Sequence, residues 1–107
     1  MRVRVTVGDV LLADSKDALL LDEPGHVRRY YLPRQDVRMD LLRPSDAQTT
    51  CPLKGVASYW SYDGHDATID DIAWSYEHPI RAAEAIANFV SFYPDRVEVN
   101  VEGDRLP

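Results

Sequence analysis

Cysteine is nearly absent from this sequence: the 107 residues include one cysteine, Cys51, so an intrachain disulfide cannot form. A chain without disulfides fits a reducing compartment, and we expect a cytoplasmic location. The N-terminus lacks the apolar h-region of a secretory signal peptide. The longest apolar runs are too short to cross a bilayer, so no membrane partner is expected.

Basic residues are also scarce, since 12 lysines and arginines against 18 aspartates and glutamates give a net charge of −6. Phosphate contacts need a basic surface, so this balance argues against a nucleic-acid binder. Arginines do cluster between positions 28 and 43, but aspartates interleave with them, which is typical of a solvated face of mixed charge. The sequence contains no P-loop, dinucleotide fingerprint or serine hydrolase elbow.

The pattern of apolar residues predicts one domain, residues 1–107, that is mainly β with one short helix. Arg2 to Val7 alternates strictly between polar and apolar side chains, as a half-buried strand does. Further short strands are expected at 10–13, 18–21, 27–32, 36–42, 56–62, 68–75, 90–93 and 96–102, separated by polar turns. Such a set of strands predicts two packed sheets.

Helix is expected at one place, after Pro79, which suits a first helical position. Its apolar face would consist of Ile80, Ala83, Ile86 and Ala87. Asn88 would end this helix in the left-handed conformation, which asparagine tolerates better than most residues.

The stretch from Thr49 to Trp60 is unlike an ordinary core strand. A turn at 43–46 and a polar loop lead into it, and its first half carries Thr50, Cys51 and Lys54. Its second half is a predicted strand that places Tyr59 and Trp60 on opposite faces. We interpret this stretch as one wall of a binding pocket.

Two residues of this stretch are candidate nucleophiles. Cys51 would need a nearby positive charge to become a thiolate, and Lys54, three positions later, could supply it. A lone cysteine without a C-x-x-C partner is more often an inert, buried filler. Cys51 and the histidines also lack the paired spacing of structural zinc sites, so no metal and no cofactor are expected.

Aromatic residues give the stronger signal for a binding site. Trp74 and Tyr76 fall on the same face of a predicted strand, in a row with Ile72. Aromatic side chains commonly fill cores, and we predict that Phe89 and Phe92 are core residues. Trp74 and Tyr76, however, could line a pocket with Tyr59 and Lys54, because ligand sites combine apolar walls with a few polar groups.

The whole chain resembles domain-of-unknown-function family 427. The resemblance is carried by the run Thr50 to Trp60, by Ala13-Asp14-Ser15, Glu23, Tyr31-Leu32-Pro33, Asp36-Val37, Ala73-Trp74-Ser75-Tyr76, Pro79 and Val90-Ser91-Phe92-Tyr93. One departure is Asn88, where a glycine is usual.

The resemblance implies a β-tent architecture, in which two antiparallel sheets meet at an angle with a groove between them. Other β-tent proteins include methionine sulfoxide reductase B and the drug-binding domain of cereblon, and many hold zinc through two cysteine pairs. With one cysteine, this chain cannot form that zinc site. A nucleotidyltransferase-like label is sometimes attached to the family, but no phosphate-binding motif here supports it.

Three functions follow as hypotheses. The first is a module that binds a small molecule or a peptide in a groove lined by Tyr31, Asp36, Thr50, Cys51, Lys54, Tyr59, Trp74 and Tyr76. The second is a structural or partner-docking domain with an exposed apolar patch and no pocket. The third is a transferase-like enzyme that uses Cys51 or Lys54. Homo-oligomerisation is compatible with all of them.

Overall fold

The computed structural model describes residues 1–65 and 67–102, and these residues form a mainly β structure, as predicted. The described strands are β1 (Arg2–Val7), β2 (Val10–Ser15), β3 (Leu19–Leu21), β4 (Arg29–Tyr31), β5 (Leu42–Cys51), β6 (Gly55–Asp63), β7 (Thr68–Ser75), β8 (Val90–Phe92) and β9 (Glu98–Glu102). Short 3-10 helices cover Arg34–Asp36, Met39–Leu41 and Arg81–Ile86. None of these helical segments has the length and hydropathy needed to span a lipid bilayer.

The described strands form antiparallel sheets, as the resemblance implies, but they form three sheets rather than the two predicted. The largest is four-stranded in the order β5-β6-β7-β8, and the next is three-stranded in the order β2-β1-β9. Beside these two sheets, β3 and β4 form a short two-stranded sheet. An isolated bridge between Leu32 and Val90 ties the end of β4 to β8. The short sheet is thereby held against the edge of the four-stranded one.

Two clusters of buried side chains make up the core. The first contains Val3 and Val5 from β1 together with Trp60 from β6 and Ile72 from β7. The second is aromatic and contains Tyr31, Ala57, Tyr59, Trp74, Tyr76 and Ile86. Tyr59 and Trp60 therefore point to opposite faces of β6, as their alternation predicts.

The predicted row of Ile72, Trp74 and Tyr76 is split between these clusters. Ile72 packs in the first cluster, whereas Trp74 and Tyr76 pack in the second. The pairing of β6 with β7 shifts register between Trp60 and Tyr62, and the nearby Asp71 has a φ of 51°. Because Trp60 pairs with Ala73 and Tyr62 with Ile69, the irregular stretch covers residues 70–72 and includes Ile72, which therefore does not share the face of Trp74.

The predicted strand over residues 36–42 is wrong. Pro33 is followed by a 3-10 turn, in which the amide of Asp36 donates to the Pro33 carbonyl at 2.9 Å. A second turn covers Met39–Leu41, and between the turns Val37 makes a single bridge to Ala13. Val37 is buried, so its apolar character reflects core packing rather than a strand.

The turn predicted at 43–46 and the loop leading to Thr49 are also wrong, because β5 runs through both. Its pairing with β6 shifts register between Pro44 and Gln48. A proline is tolerated here because β5 is an edge strand, where one side of the backbone has no partner in the sheet.

The predicted helix after Pro79 is a 3-10 segment, Arg81–Ile86, interrupted by non-helical dihedral angles at Ala83. Ile80 lies outside it, in an extended conformation, and its side chain is 42% exposed, so it is not part of an apolar helix face. Ile86 is buried, as expected. Asn88 has a φ of 64°, which confirms the predicted left-handed stop.

Candidate functional site

A cavity of about 380 Å³ opens beside the aromatic cluster. Its walls come from β4, β6 and β7, from the segment that follows β3 and from the turn between β5 and β6. The lining residues are Leu21, Glu23, Gly25, His26, Val27, Arg29, Tyr31, Lys54, Tyr59, Trp74, Tyr76 and Tyr93. The cavity thus combines tyrosine hydroxyls and charged groups with aromatic ring faces.

Trp74 is the centre of the aromatic wall. It is paired directly with Tyr59 across β6 and β7, which brings the two side chains to the same face of the sheet. The ring of Tyr93 lies 4.4 Å from the Trp74 ring, centroid to centroid, and the ring of Tyr31 meets Trp74 edge-on at 6.2 Å. Trp74 Nε1 donates to Tyr31 Oη at 3.2 Å, so the indole is fixed by packing and by a hydrogen bond.

Lys54 and Glu23 form an ion pair at the cavity. Lys54 Nζ donates to Glu23 Oε1 at 2.8 Å. Burial disfavours the charged ammonium, but the hydrogen bond and the negative charge of Glu23 outweigh it, so the pKa of Lys54 is raised. The same hydrogen bond lowers the pKa of Glu23. Both groups are therefore charged at neutral pH.

The backbone around Lys54 explains how its side chain is positioned. The amide of Lys54 donates to the carbonyl of Cys51 at 3.1 Å, which closes the turn between β5 and β6. Gly55 follows with a φ of 119°, a conformation that residues with a side chain rarely adopt. The carbonyl of Lys54 accepts from the amide of Ile80 at 2.8 Å, so the segment after β7 holds the turn in place.

The hydroxyls of Tyr31, Tyr76 and Tyr93 at the cavity stay protonated further into alkaline conditions than an exposed tyrosine does. Burial raises the pKa of Tyr31 and of Tyr76. Burial and the hydrogen bond with Tyr59 raise the pKa of Tyr93 to about 12. Tyr59 Oη also lies 2.8 Å from Thr49 Oγ1. These hydroxyls can donate or accept hydrogen bonds without adding negative charge.

Of the residues predicted to bind a ligand, five line this cavity: Tyr31, Lys54, Tyr59, Trp74 and Tyr76. In particular, Lys54 and Trp74 lie on the same cavity rather than on opposite sides of the molecule.

The other three predicted residues do not line it. Cys51 is half-buried and packs against the aromatic cluster. Thr50 is exposed on β5, opposite Val56. Asp36 lies elsewhere, where it accepts a hydrogen bond from Ser15 Oγ at 2.7 Å.

Sequence reasoning missed seven of the twelve lining residues, and two of these, Arg29 and Tyr93, lie beside strand positions already considered. Arg29 lies two positions before Tyr31 on β4, and the two-residue period of a strand places both side chains on one face. Tyr93 lies two positions after Ser91, which pairs with Trp74. Each could have been found by extending the face of a neighbour already assigned to the pocket.

The arrangement keeps the amine of Lys54 in its charged form. The Lys54 amine is held as an ammonium by Glu23 and lacks the free electron pair of a nucleophile. Within residues 1–65 and 67–102, no group of three or more His, Cys, Asp or Glu side chains is arranged to hold a metal ion.

Comparison with known families gives a match over nearly the whole chain. A family model described as "Domain of unknown function (DUF427)" matches residues 1–103, nearly the full length of the chain. This match confirms the resemblance seen in the sequence. None of the curated proteins matches the chain.

Proposed function

Since the chain belongs to the DUF427 family of domains of unknown function, its role has to be inferred from its cavity, and we propose that it is a binding module for a small molecule or a peptide. One observation carries this proposal: the Lys54–Glu23 ion pair and the Trp74 ring line the same cavity of about 380 Å³. The cavity lies within the size range of ligand sites, and its aromatic ring faces stand beside charged groups and hydroxyls that could orient a ligand.

The rigidity of the wall supports binding. Trp74 is paired with Tyr59, hydrogen-bonded to Tyr31 and packed on Tyr93. A ligand would therefore meet side chains that are already ordered, and little conformational entropy would be lost at the wall. The acidic composition and the single cysteine further support a ligand other than nucleic acid and a cytoplasmic location.

A transferase-like enzyme is the weaker alternative. Glu23 keeps Lys54 protonated, and Cys51 is half-buried outside the lining of the cavity. An exposed docking face does not require a cavity, so the cavity favours the binding module over that alternative as well.

The test is a screen of small fragments, detected by the NMR signals of the indole N–H groups. The chain has two tryptophans, which provide an internal control. Trp74 lines the cavity, whereas Trp60 packs in the first cluster with the Arg34 guanidinium 5.0 Å from its ring centroid. Fragments that bind in the cavity are expected to shift the Trp74 signal and leave that of Trp60 in place.

A matched pair of variants completes the test. Val27 lines the cavity and is 66% exposed, so V27F adds bulk at its edge without disturbing the core or adding an indole signal. Leu53 is 55% exposed and does not line the cavity, so L53F is the control. We expect V27F alone to weaken fragment binding. If no fragment shifts the Trp74 signal, or if both variants weaken binding equally, the proposal is wrong.

A further inference from the structure

The position of Arg29 indicates what kind of ligand the cavity accepts. Its guanidinium carbon lies 5.1 Å from the centroid of the Trp74 ring and 5.5 Å from that of Tyr93. Both distances are within the range of cation–π interactions. Arg29 therefore provides a fixed positive charge against the aromatic wall.

This charge is not neutralised by a carboxylate of the described chain. Six of the described arginines form salt bridges with acidic residues, for example Arg28 with Asp22 and Arg43 with Asp63, whereas Arg81 and Arg96, like Arg29, form none with the described residues. Among residues 1–65 and 67–102, no carboxylate forms a salt bridge with Arg29. A guanidinium presents several N–H donors in a planar fork that matches a carboxylate.

The remaining charges of the cavity cancel. Lys54 is paired with Glu23, and the tyrosine hydroxyls are neutral at physiological pH. Among the lysine, arginine and glutamate side chains that line the cavity, this leaves one positive charge, that of Arg29. A cationic ligand would be repelled by Arg29 and would compete with it for the face of Trp74.

On the basis of the proposed function, we propose that the ligand is an organic anion with one carboxylate and a flat or apolar body. The carboxylate binds the guanidinium of Arg29, and the body lies in the cavity against the half-buried ring of Tyr93. Two sources share this chemistry, a free aromatic acid and the C-terminal end of a peptide.

The first experiment compares three compounds of similar size and different charge by titration of the Trp74 indole signal. Phenylacetate is the anion, phenylacetamide the neutral analogue and phenethylamine the cation. A charge-assisted hydrogen bond contributes enough for us to expect about tenfold tighter binding of phenylacetate than of phenylacetamide. Equal or tighter binding of the neutral compound or the cation would overturn the inference.

The second experiment uses R29Q and, as a matched control, R28Q. Arg28 is the adjacent arginine, is paired with Asp22 and does not line this cavity. We expect R29Q to weaken phenylacetate about tenfold and to leave phenylacetamide unchanged, because only the anion uses the charge. R28Q should change neither affinity. Equal effects of the two variants contradict the inference, and if R29Q does not fold, the charge series on the unaltered protein decides.

A third arm distinguishes the two sources of the carboxylate. The peptide acetyl-Ala-Ala-Phe is titrated with a free C-terminus and with an amidated one. If the free peptide binds more tightly than phenylacetate and amidation abolishes this, the ligand is a peptide end; if phenylacetate binds more tightly, it is a free acid. Binding of all compounds irrespective of charge refutes this inference but leaves the proposed function intact, whereas no binding of any compound counts against both.

Discussion

Lys54 Nζ and Glu23 Oε1 lie 2.8 Å apart, although the two residues are 31 positions apart in the sequence. This contact ties the segment after β3 to the turn between β5 and β6. These two parts of the chain form adjoining walls of the cavity. The side chain of Lys54 is 14% exposed, so the pair is better shielded from solvent than a typical surface ion pair.

The first prediction concerns the pH dependence of this pair. The pKa of Glu23 is lowered from 4.5, so its contribution to stability is present above pH 4.5 and is lost as the pH falls through the pKa of the folded state. The pKa of Lys54 is raised from 10.5, so its contribution is present below pH 10.5 and is lost above it. We expect E23Q to be less stable than the unaltered protein at pH 7, with the difference shrinking below pH 4.5.

Urea unfolding followed by far-UV circular dichroism at several pH values measures this difference. D22N is the control, since Asp22 pairs with Arg28 and both side chains are about half exposed or more. D22N should lower the free energy of unfolding at pH 7 by less than E23Q does, because exposed ion pairs contribute little to stability. If E23Q lowers the free energy of unfolding by the same amount at acid pH and at pH 7, the charge of Glu23 is not the cause of the lost stability.

The strands could be predicted from the sequence wherever one face packs on the core. The predicted bounds of β1 and β7 match the observed ones. The alternation of Val37 with Met39 and Leu41 was misleading, because a 3-10 turn after Pro33 can also bury one apolar residue between polar ones. The continuation of β5 through Pro44 depends on its edge position, which local sequence does not reveal.

Part of the candidate site could also be predicted from the way strands place alternate side chains on one face. Tyr59 and Trp74 could be placed together because neighbouring strands pair them. The partnership of Lys54 with Glu23 is a tertiary contact between a turn and a loop, and neither has a periodic pattern. Asp36 was misplaced because the 3-10 turn directs it toward Ser15.

The second prediction concerns the hydrogen bond from Trp74 Nε1 to Tyr31 Oη. Both side chains are buried, so Y31F leaves the indole N–H without its acceptor. An unsatisfied buried donor costs about 1–3 kcal/mol, and we expect the free energy of unfolding to fall by that amount. In a W74F background the indole N–H donor is absent, so Y31F should lower the free energy of unfolding by less.

A double-mutant cycle of unfolding free energies measures this coupling. Y30F is the control, because Tyr30 is the neighbouring tyrosine and makes no side-chain hydrogen bond to the described residues. Additive effects of Y31F and W74F would contradict the prediction.

The third prediction concerns the ionisation of Tyr93. Its pKa is raised to about 12, so the folded protein keeps this proton above pH 10, where an unfolded chain releases it. Stability contributed by Tyr93 is therefore present below pH 10 and is lost as the pH rises toward 12. Absorbance at 295 nm, recorded after a rapid jump to each alkaline pH, measures tyrosine ionisation. The titration curve of Y93F should lack a step near pH 12 that the unaltered protein shows. Loss of a step near pH 10 instead would contradict the predicted environment of this hydroxyl.

The last prediction concerns Asn88, which has a φ of 64° between the 3-10 segment and β8. Its amide donates to the carbonyl of Tyr76 at 3.1 Å, so its conformation also supports a residue of the cavity wall. Alanine in a left-handed conformation costs about 1–2 kcal/mol, whereas glycine adopts it freely. We expect N88A to lower the free energy of unfolding by about that amount and N88G to leave it nearly unchanged, as measured by urea unfolding. If N88A and N88G unfold at the same urea concentration, the left-handed conformation is not what Asn88 contributes.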